Sequence, residues 1–233
     1  MAAAGDRQNV NEELTITGKL NDFIQKNRSK FFIGLIAVIV ILLGFIIGLT
    51  LKDKAQEKAL SQIDGFESRY KEISESIDEA TAESSMQGDI DALLDDLSGF
   101  IRKNSGFAVA KAHYLSANIY ADQKKWAEAE KIWIEAARVA EKSYLAPLSV
   151  FNAAVAAEEQ GNIDAAIAYY TRALNYGTSF YASARAQFSI GRLEEARNNR
   201  VAALEAYLNL VNKWPDDPLW ANLAQSRIIV LSN

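Results

Sequence analysis

The sequence predicts an all-α chain: a single N-terminal transmembrane helix, followed by an α-solenoid of about three helix hairpins with flanking helices. Three observations predict it. Residues 31–51 (FFIGLIAVIVILLGFIIGLTL) hold no charged side chain. The C-terminal half repeats itself at a step of 37 residues, as set out below. Only three prolines interrupt 233 residues, which leaves room for long helices. The layout is a tail (1–30), a transmembrane helix (31–51), a stalk helix with an acidic linker (52–88) and a repeat domain (89–233).

The apolar run comes first. At about 1.5 Å per helical residue, its 21 residues reach roughly 30 Å, the thickness of a hydrocarbon core. Sixteen of them are Phe, Ile, Leu or Val. At about −0.3 to −0.6 kcal/mol each, these favour insertion by about 5–10 kcal/mol. A cleaved signal peptide would be shorter, lie nearer the N-terminus and end in small residues. Here Lys52-Asp53-Lys54 follows, so the run reads as an uncleaved signal anchor. Lys19, Lys26, Arg28 and Lys30 flank it on one side, and Lys52, Lys54 and Lys58 on the other. That bias is slight, and a short tail before a large domain suits an N-in arrangement. In a bacterium this makes a single-pass inner-membrane protein, with its N-terminus cytoplasmic and its repeat domain periplasmic. Gly44 and Gly48 form a GxxxG pair, the pattern that lets two membrane helices approach, so a homo-oligomer is one expectation.

The stalk follows. Ala59, Ile63, Phe66, Tyr70, Ile73 and Ile77 recur at helical spacing, with Glu67, Arg69, Lys71, Glu72 and Glu75 on other faces. The stripe is shorter than three heptads. A coiled coil and a helix docked on the following domain both fit it. Asp78 to Asp89 is polar and reads as a linker. The acidic stretch 64–96 reads as a solvated face, with a docking surface for a basic partner as the alternative.

The repeat domain rests on three aligned segments. One small residue recurs as Ala117, Ala154 and Gly191, and a second as Ala129, Ala166 and Ala203. An aromatic recurs as Trp133, Tyr170 and Tyr207. Two helices approach closely only where a small side chain leaves room, and a large ring then fills the space beside it. Turn residues lie between the helices at Gln160-Gly161-Asn162 and Arg197-Asn198-Asn199. Ile90, Leu93, Leu94, Leu97, Phe100 and Ile101 mark a preceding amphipathic helix. Pro218 to Val230 reads as a capping helix, with Trp220, Leu223, Ile228 and Leu231 as its expected buried face.

This pattern resembles the tetratricopeptide repeat (TPR), whose small crossing residues, second-helix aromatic and trailing proline are matched here, the last by Pro215. Glu141 and Thr178 stand where earlier repeats would have that proline, and Arg200 replaces the bulky apolar residue seen as Trp126 and Ile163. By that resemblance, the fifth position of each first helix lines a groove, giving Tyr114, Phe151 and Phe188. The ninth gives Asn118, Val155 and Arg192. Such a ladder suits an extended or helical peptide. The competing readings are that the stalk or capping helix fills the groove, or that the rings pack on one another. The carboxylate clamp of chaperone-binding members does not fit. Asn118 and Asn152 are in place, but Tyr114, Ala184 and Ser189 stand where its cations belong.

Composition excludes much else. The chain has no cysteine, hence no disulfide framework, thiolate zinc site or Cys nucleophile. Its single histidine, His113, rules out HExxH chemistry and reads as a packing residue. Trp126, Trp133, Trp214 and Trp220 read as core. Glu158-Glu159 and Glu194-Glu195 are adjacent, about 100° apart on a helix, and make poor acid-base dyads. A net charge of −5 without a basic stripe argues against nucleic acid. No enzyme activity, cofactor or metal is expected.

The whole layout resembles the YfgM-like group of membrane-anchored periplasmic TPR proteins. That resemblance implies a protein–protein interaction adaptor in envelope biogenesis or translocation, with the Sec translocon or periplasmic chaperones as partners. The alternative is a self-associating structural scaffold of the inner membrane.

Overall fold

The computed structural model describes residues 18, 21, 23–75, 83–177 and 180–232. Ile77, Thr178, most of the 1–30 tail and residues 78–82 of the 78–89 linker lie outside them. The described elements are α1 (Arg28–Glu75), α2 (Glu83–Lys103), α3 (Phe107–Asp122), α4 (Trp126–Val139), α5 (Leu145–Glu159), α6 (Ile163–Leu174), α7 (Ser183–Ala196), α8 (Arg200–Lys213) and α9 (Trp220–Ser232). Among the described residues there is no strand. The chain divides into two compact units, Met1–Ala55 and Gln56–Asn233.

In the first unit, the apolar part of α1 is long and apolar enough to cross a membrane and is a candidate span. Its large side chains, from Phe32 to Leu51, are all exposed. The Thr50 hydroxyl, the one hydrogen-bonding side chain of the run, donates to the Ile46 carbonyl at 3.0 Å. A polar group in hydrocarbon must be satisfied from within the helix, and this one is. A Cβ added at Gly44 or Gly48 would meet nothing within 4 Å.

In the second unit, α1 continues as the docked helix of the two stalk readings. Ala59 and Ile63 are buried in a cluster with Ile90, Leu93, Leu97, Phe100 and Leu115. Phe66 meets Phe100 edge-on, at 5.9 Å between ring centres. The surrounding acids are partly used: Arg69 pairs with Asp96 at 2.7 Å, and Lys111 with Glu67 at 3.2 Å and Asp64 at 3.4 Å. These pairs are largely solvent-exposed, so apolar burial rather than charge holds the helix down.

Three hairpins follow: α3/α4, α5/α6 and α7/α8. Each helix from α2 to α9 packs on the next, and first helices also touch (α3 with α5, α7 with α9). Ala117, Ala154, Ala129, Ala166 and Ala203 are fully buried, and Trp133, Tyr170 and Tyr207 are at most 5% exposed beside them. Each hairpin turn places one residue in the left-handed region: Lys124 (φ 56°), Gly161 (φ 74°) and Asn198 (φ 62°), again 37 apart. The following N–H closes the helix end by bonding five residues back: Lys125 to Tyr120 (2.9 Å), Asn162 to Ala157 (2.9 Å) and Asn199 to Glu194 (2.8 Å). Asn162 and Asn199 then cap α6 and α8 by accepting from Ala165 N and Ala202 N. Arg200 is exposed, whereas Trp126 and Ile163 are half-buried, so the charged replacement costs no desolvation. All four tryptophans pack in apolar clusters.

Candidate functional site

The first helices α3, α5 and α7 carry the six residues singled out by register, and the fold gives them unequal settings. Tyr114 is half-buried, and its hydroxyl accepts from Asn152 Nδ2 at 3.0 Å. Burial pushes the Tyr114 phenol up, while hydrogen bonds from Asn152 and Asn118 pull it back. Asn118 Oδ1 in turn accepts from Trp133 Nε1 at 3.1 Å. These contacts bring Tyr114, Asn118, Asn152 and Trp133 into one network across the first two repeats.

Phe151 and Phe188 are held differently. Phe151 is 4% exposed and belongs to the core, its ring centre 5.2 Å from Tyr170 and 5.9 Å from Phe180. The Arg185 guanidinium lies 5.2 Å over it. Phe188 is half-buried between Tyr207 (5.4 Å) and Trp220 of the capping helix (5.3 Å). Phe151 and Phe188 therefore stack on their own chain rather than on each other.

Val155 is half-buried beside the network. With Asn118, Trp133, Asn152, Leu115, Ala121, Tyr70 and Asp122 it lines an open cleft of about 330 Å³. The Tyr70 hydroxyl of the docked α1 donates to the Asp122 carboxylate, so two of the lining residues are bonded to each other. Burial, and then the Asp122 carboxylate, raise the Tyr70 phenol well above its ordinary value, which keeps it a donor.

Arg192, the last of the six, is exposed but engaged. Its guanidinium bonds Glu158 at 2.7 Å, and Glu158 also accepts from the Tyr170 hydroxyl at 3.3 Å. Burial, then the Glu158 charge, push the Tyr170 phenol up to about 12. One repeat on, the motif recurs: Glu195 accepts from the Tyr207 hydroxyl at 3.2 Å and from Arg227 Nε at 3.1 Å. Each Tyr–Glu–Arg set ties a hairpin to the helix that follows it.

Register alone missed Glu158, Glu195 and Arg227. The signal was present, because the two glutamates are 37 apart, as are Tyr170 and Tyr207. Glu194, 6% exposed, has a separate job. It accepts from Arg197 Nε and Nη2, both at 2.6 Å, and from Asn199 Nδ2 at 2.9 Å, which fastens the third turn. His113 is about half-buried; burial lowers its pKa, Glu135 opposes that and Arg138 adds to it. Among the described residues no group of three or more His, Asp or Glu is placed to hold a metal.

With this geometry in place, comparison with known proteins bears on what the helices are. Residues 151–218 match the tetratricopeptide repeat. The match runs from Phe151 in α5 to Pro218 just before α9, and so takes in the Tyr170–Glu158–Arg192 set and Tyr207 and Glu195 of the next, but not Arg227. A TPR repeat-containing protein of Treponema pallidum (strain Nichols) is 36% identical over 151 residues, covering 64% of this chain and 62% of that protein. The chain thus spans less than two thirds of that relative's length. Tetratricopeptide repeats generally mediate contacts between proteins, and they are typically non-enzymatic.

Proposed function

We propose that this chain is a membrane-anchored, non-enzymatic adaptor. Residues 31–51 hold it in a lipid bilayer, a stalk and linker follow at 52–88, and the TPR-like domain of 89–233 presents a groove to another polypeptide. The groove draws on Tyr114, Asn118, Val155, Phe188 and Arg192, while Phe151, the sixth residue of the register, is 4% exposed in the core. The carrying observation is the open cleft around Asn118, Trp133, Asn152 and Val155, where an amide network lies beside apolar surface. Pre-set amides suit the main chain of an extended or helical segment, and the apolar wall suits its side chains. Following the resemblance of the layout, the setting is a bacterial inner membrane with the N-terminus cytoplasmic, and the partner is the Sec translocon or a periplasmic chaperone.

Photo-crosslinking from Val155 in the membrane-embedded chain tests this reading. Adducts with secreted, translocon or chaperone proteins are the expected result. Adducts solely with further copies of the chain would favour the second reading, a self-associating scaffold. That reading draws its support from the GxxxG spacing of Gly44 and Gly48. Protease digestion of the repeat domain in intact spheroplasts checks the orientation; protection there would overturn the periplasmic placement.

A further inference from the structure

We infer that the outer face of α9 pairs with the same face of a second copy of this chain. Among the described residues from 56 onward, every exposed large aliphatic side chain lies between Val201 and Val230. Four of them belong to α9 and the turn that enters it: Leu219 (54% exposed), Leu223 (41%), Ile229 (64%) and Val230 (58%). Leu223, expected in the buried face of this helix, stands outside it. Ala221, Ala224, Ile228 and Leu231 turn inward instead, into a cluster with Tyr207, Leu210 and Trp214.

The array explains why this face is open. Arg227 stands 35 residues after Arg192, and each guanidinium binds a glutamate of the preceding first helix, Glu195 in α7 and Glu158 in α5. So α9 is a further first helix, at a step of 35 rather than 37. At that step Ala186, Ser189 and Leu193 of α7 become Ala221, Ala224 and Ile228, turned inward in both helices. Gly191 becomes Ser226. In α7 the Gly191 side receives α8: Gln187 Nε2 donates to the Ala206 carbonyl at 3.0 Å, and the Tyr207 ring lies against Gly191. The Ser226 side of α9 has no such partner. Its helix packs on α8 and α7, and no second helix follows it among the described residues.

The chemistry of the face names its occupant. Helical spacing puts Leu219, Asn222, Leu223, Ser226, Ile229 and Val230 within about 60° of one direction, that of Ser226. No charge falls in this stripe. Arg227, the one charged residue of α9, lies about 100° round the helix and is held by Glu195. Asp217 in the connector is spent on capping, accepting from Leu219 N at 3.0 Å and Trp220 N at 2.7 Å. Both polar side chains of the stripe bond within their own helix, Asn222 to the Pro218 carbonyl at 2.7 Å and Ser226 to the Asn222 carbonyl at 3.0 Å. Covering such groups costs less than covering unpaired ones. The stripe also reads alike in both directions, with Leu223 three residues before Ser226 and Ile229 three after. A two-fold axis through Ser226 therefore sets Leu223 against Ile229 of the second copy, and the two small residues meet where the antiparallel helices cross. Each copy carries a net charge of −5, so a charge-free face lets two of them meet without opposing like charges. One helix face is small beside the roughly 1,200–2,000 Å² of stable complexes, so the pairing is weak and concentration-dependent. None of these residues lines the clefts around Asn118 or Arg192, and pairing does not occupy the groove.

The absence of cysteine makes the test direct. In the detergent-solubilised full chain, Ser226→Cys is expected to give a disulfide-linked dimer under mild oxidation. Gln225→Cys, exposed but about 100° round the helix, should give little. Adding Leu223→Glu to Ser226→Cys should cut the linked yield to a small fraction. Adding Ile229→Lys as well should restore it, because residues 223 and 229 of opposite copies face each other. Both side chains are exposed, so the fold is expected to survive these changes, as circular dichroism melts would show. Equal yields at 225 and 226, no dimer at 226, a yield that Leu223→Glu leaves unchanged, or one that Ile229→Lys fails to restore would overturn the pairing. So would a photo-crosslinker at Leu223, in the native membrane, that captures another protein and never the chain itself.

Discussion

The Cβ that Gly191 lacks would lie 2.6 Å from Cε1 of Tyr207, 2.8 Å from its Cδ1 and 2.9 Å from its Cζ. The equivalent Ala117 and Ala154 carry that methyl without harm in the first two hairpins, so the third is packed more closely. Tyr207 is 1% exposed and its hydroxyl is committed to Glu195, which leaves the ring no easy retreat. Gly191→Ala is expected to cost about 1–3 kcal/mol, the usual penalty for forcing an extra carbon into a packed core. Urea unfolding measures it. Tyr207→Leu in the Gly191→Ala background should recover part of the loss, because it removes the ring that the methyl strikes.

The hairpin turns give a prediction of opposite sign. Lys124 holds the left-handed conformation that Gly161 fills at no steric cost in the next repeat. Lys124→Gly is expected to stabilise the domain by about 0.5–1 kcal/mol, the strain relieved less the entropy that glycine adds to the unfolded chain. Gly161→Ala should destabilise it by a similar or larger amount. Thermal melts of the two variants, read side by side, check both signs.

The register of the array was legible because it depends on size alone. Where two helices cross, a small residue and a neighbouring ring are required, and 37-residue recurrence exposes them wherever they fall. Polar partnerships were not legible, since they depend on which repeat faces which. Glu158 looks like half of an adjacent acidic pair in the sequence, yet its partner is Arg192, 34 residues on. Likewise Phe151 occupies the same register position as Tyr114. The connector after α6, however, brings Phe180 against Phe151, and its ring is covered where Tyr114 keeps a half-exposed hydroxyl. The stalk stripe was visible, and so was the apolar face of α2, but not that one would cover the other, because periodicity marks a face for burial without naming the element that buries it.

That docked stalk is testable on its own. Ile63 is fully buried, between α2 and α3. Ile63→Ala removes a large part of a buried side chain and is expected to cost about 2–5 kcal/mol if the site cannot collapse. Hydrogen exchange should then show faster exchange in residues 56–75 while the hairpins α5/α6 and α7/α8 keep their protection. Uniform loss of protection would instead mean that the stalk and the array unfold as one unit.

Buried tyrosines also set an alkaline limit. Burial, followed by the Glu158 charge, raises the Tyr170 phenol from 10.0 to about 12, so the folded state keeps a proton that the unfolded chain releases more readily. A group whose folded pKa is raised contributes stability that is fully present below the unfolded value and is lost as pH climbs through the folded one. For Tyr170 the window is pH 10 to about 12, and two units correspond to about 2–3 kcal/mol. Tyr207 and Tyr114, raised by burial, add to the same slope. Denaturant midpoints should therefore be flat from pH 7 to 9 and fall steeply above 10. Tyr170→Phe should flatten that fall, at the cost of the bond to Glu158 at neutral pH. A variant that loses stability above pH 10 as steeply as the parent would show that the Tyr170 proton is not what the alkaline fold depends on.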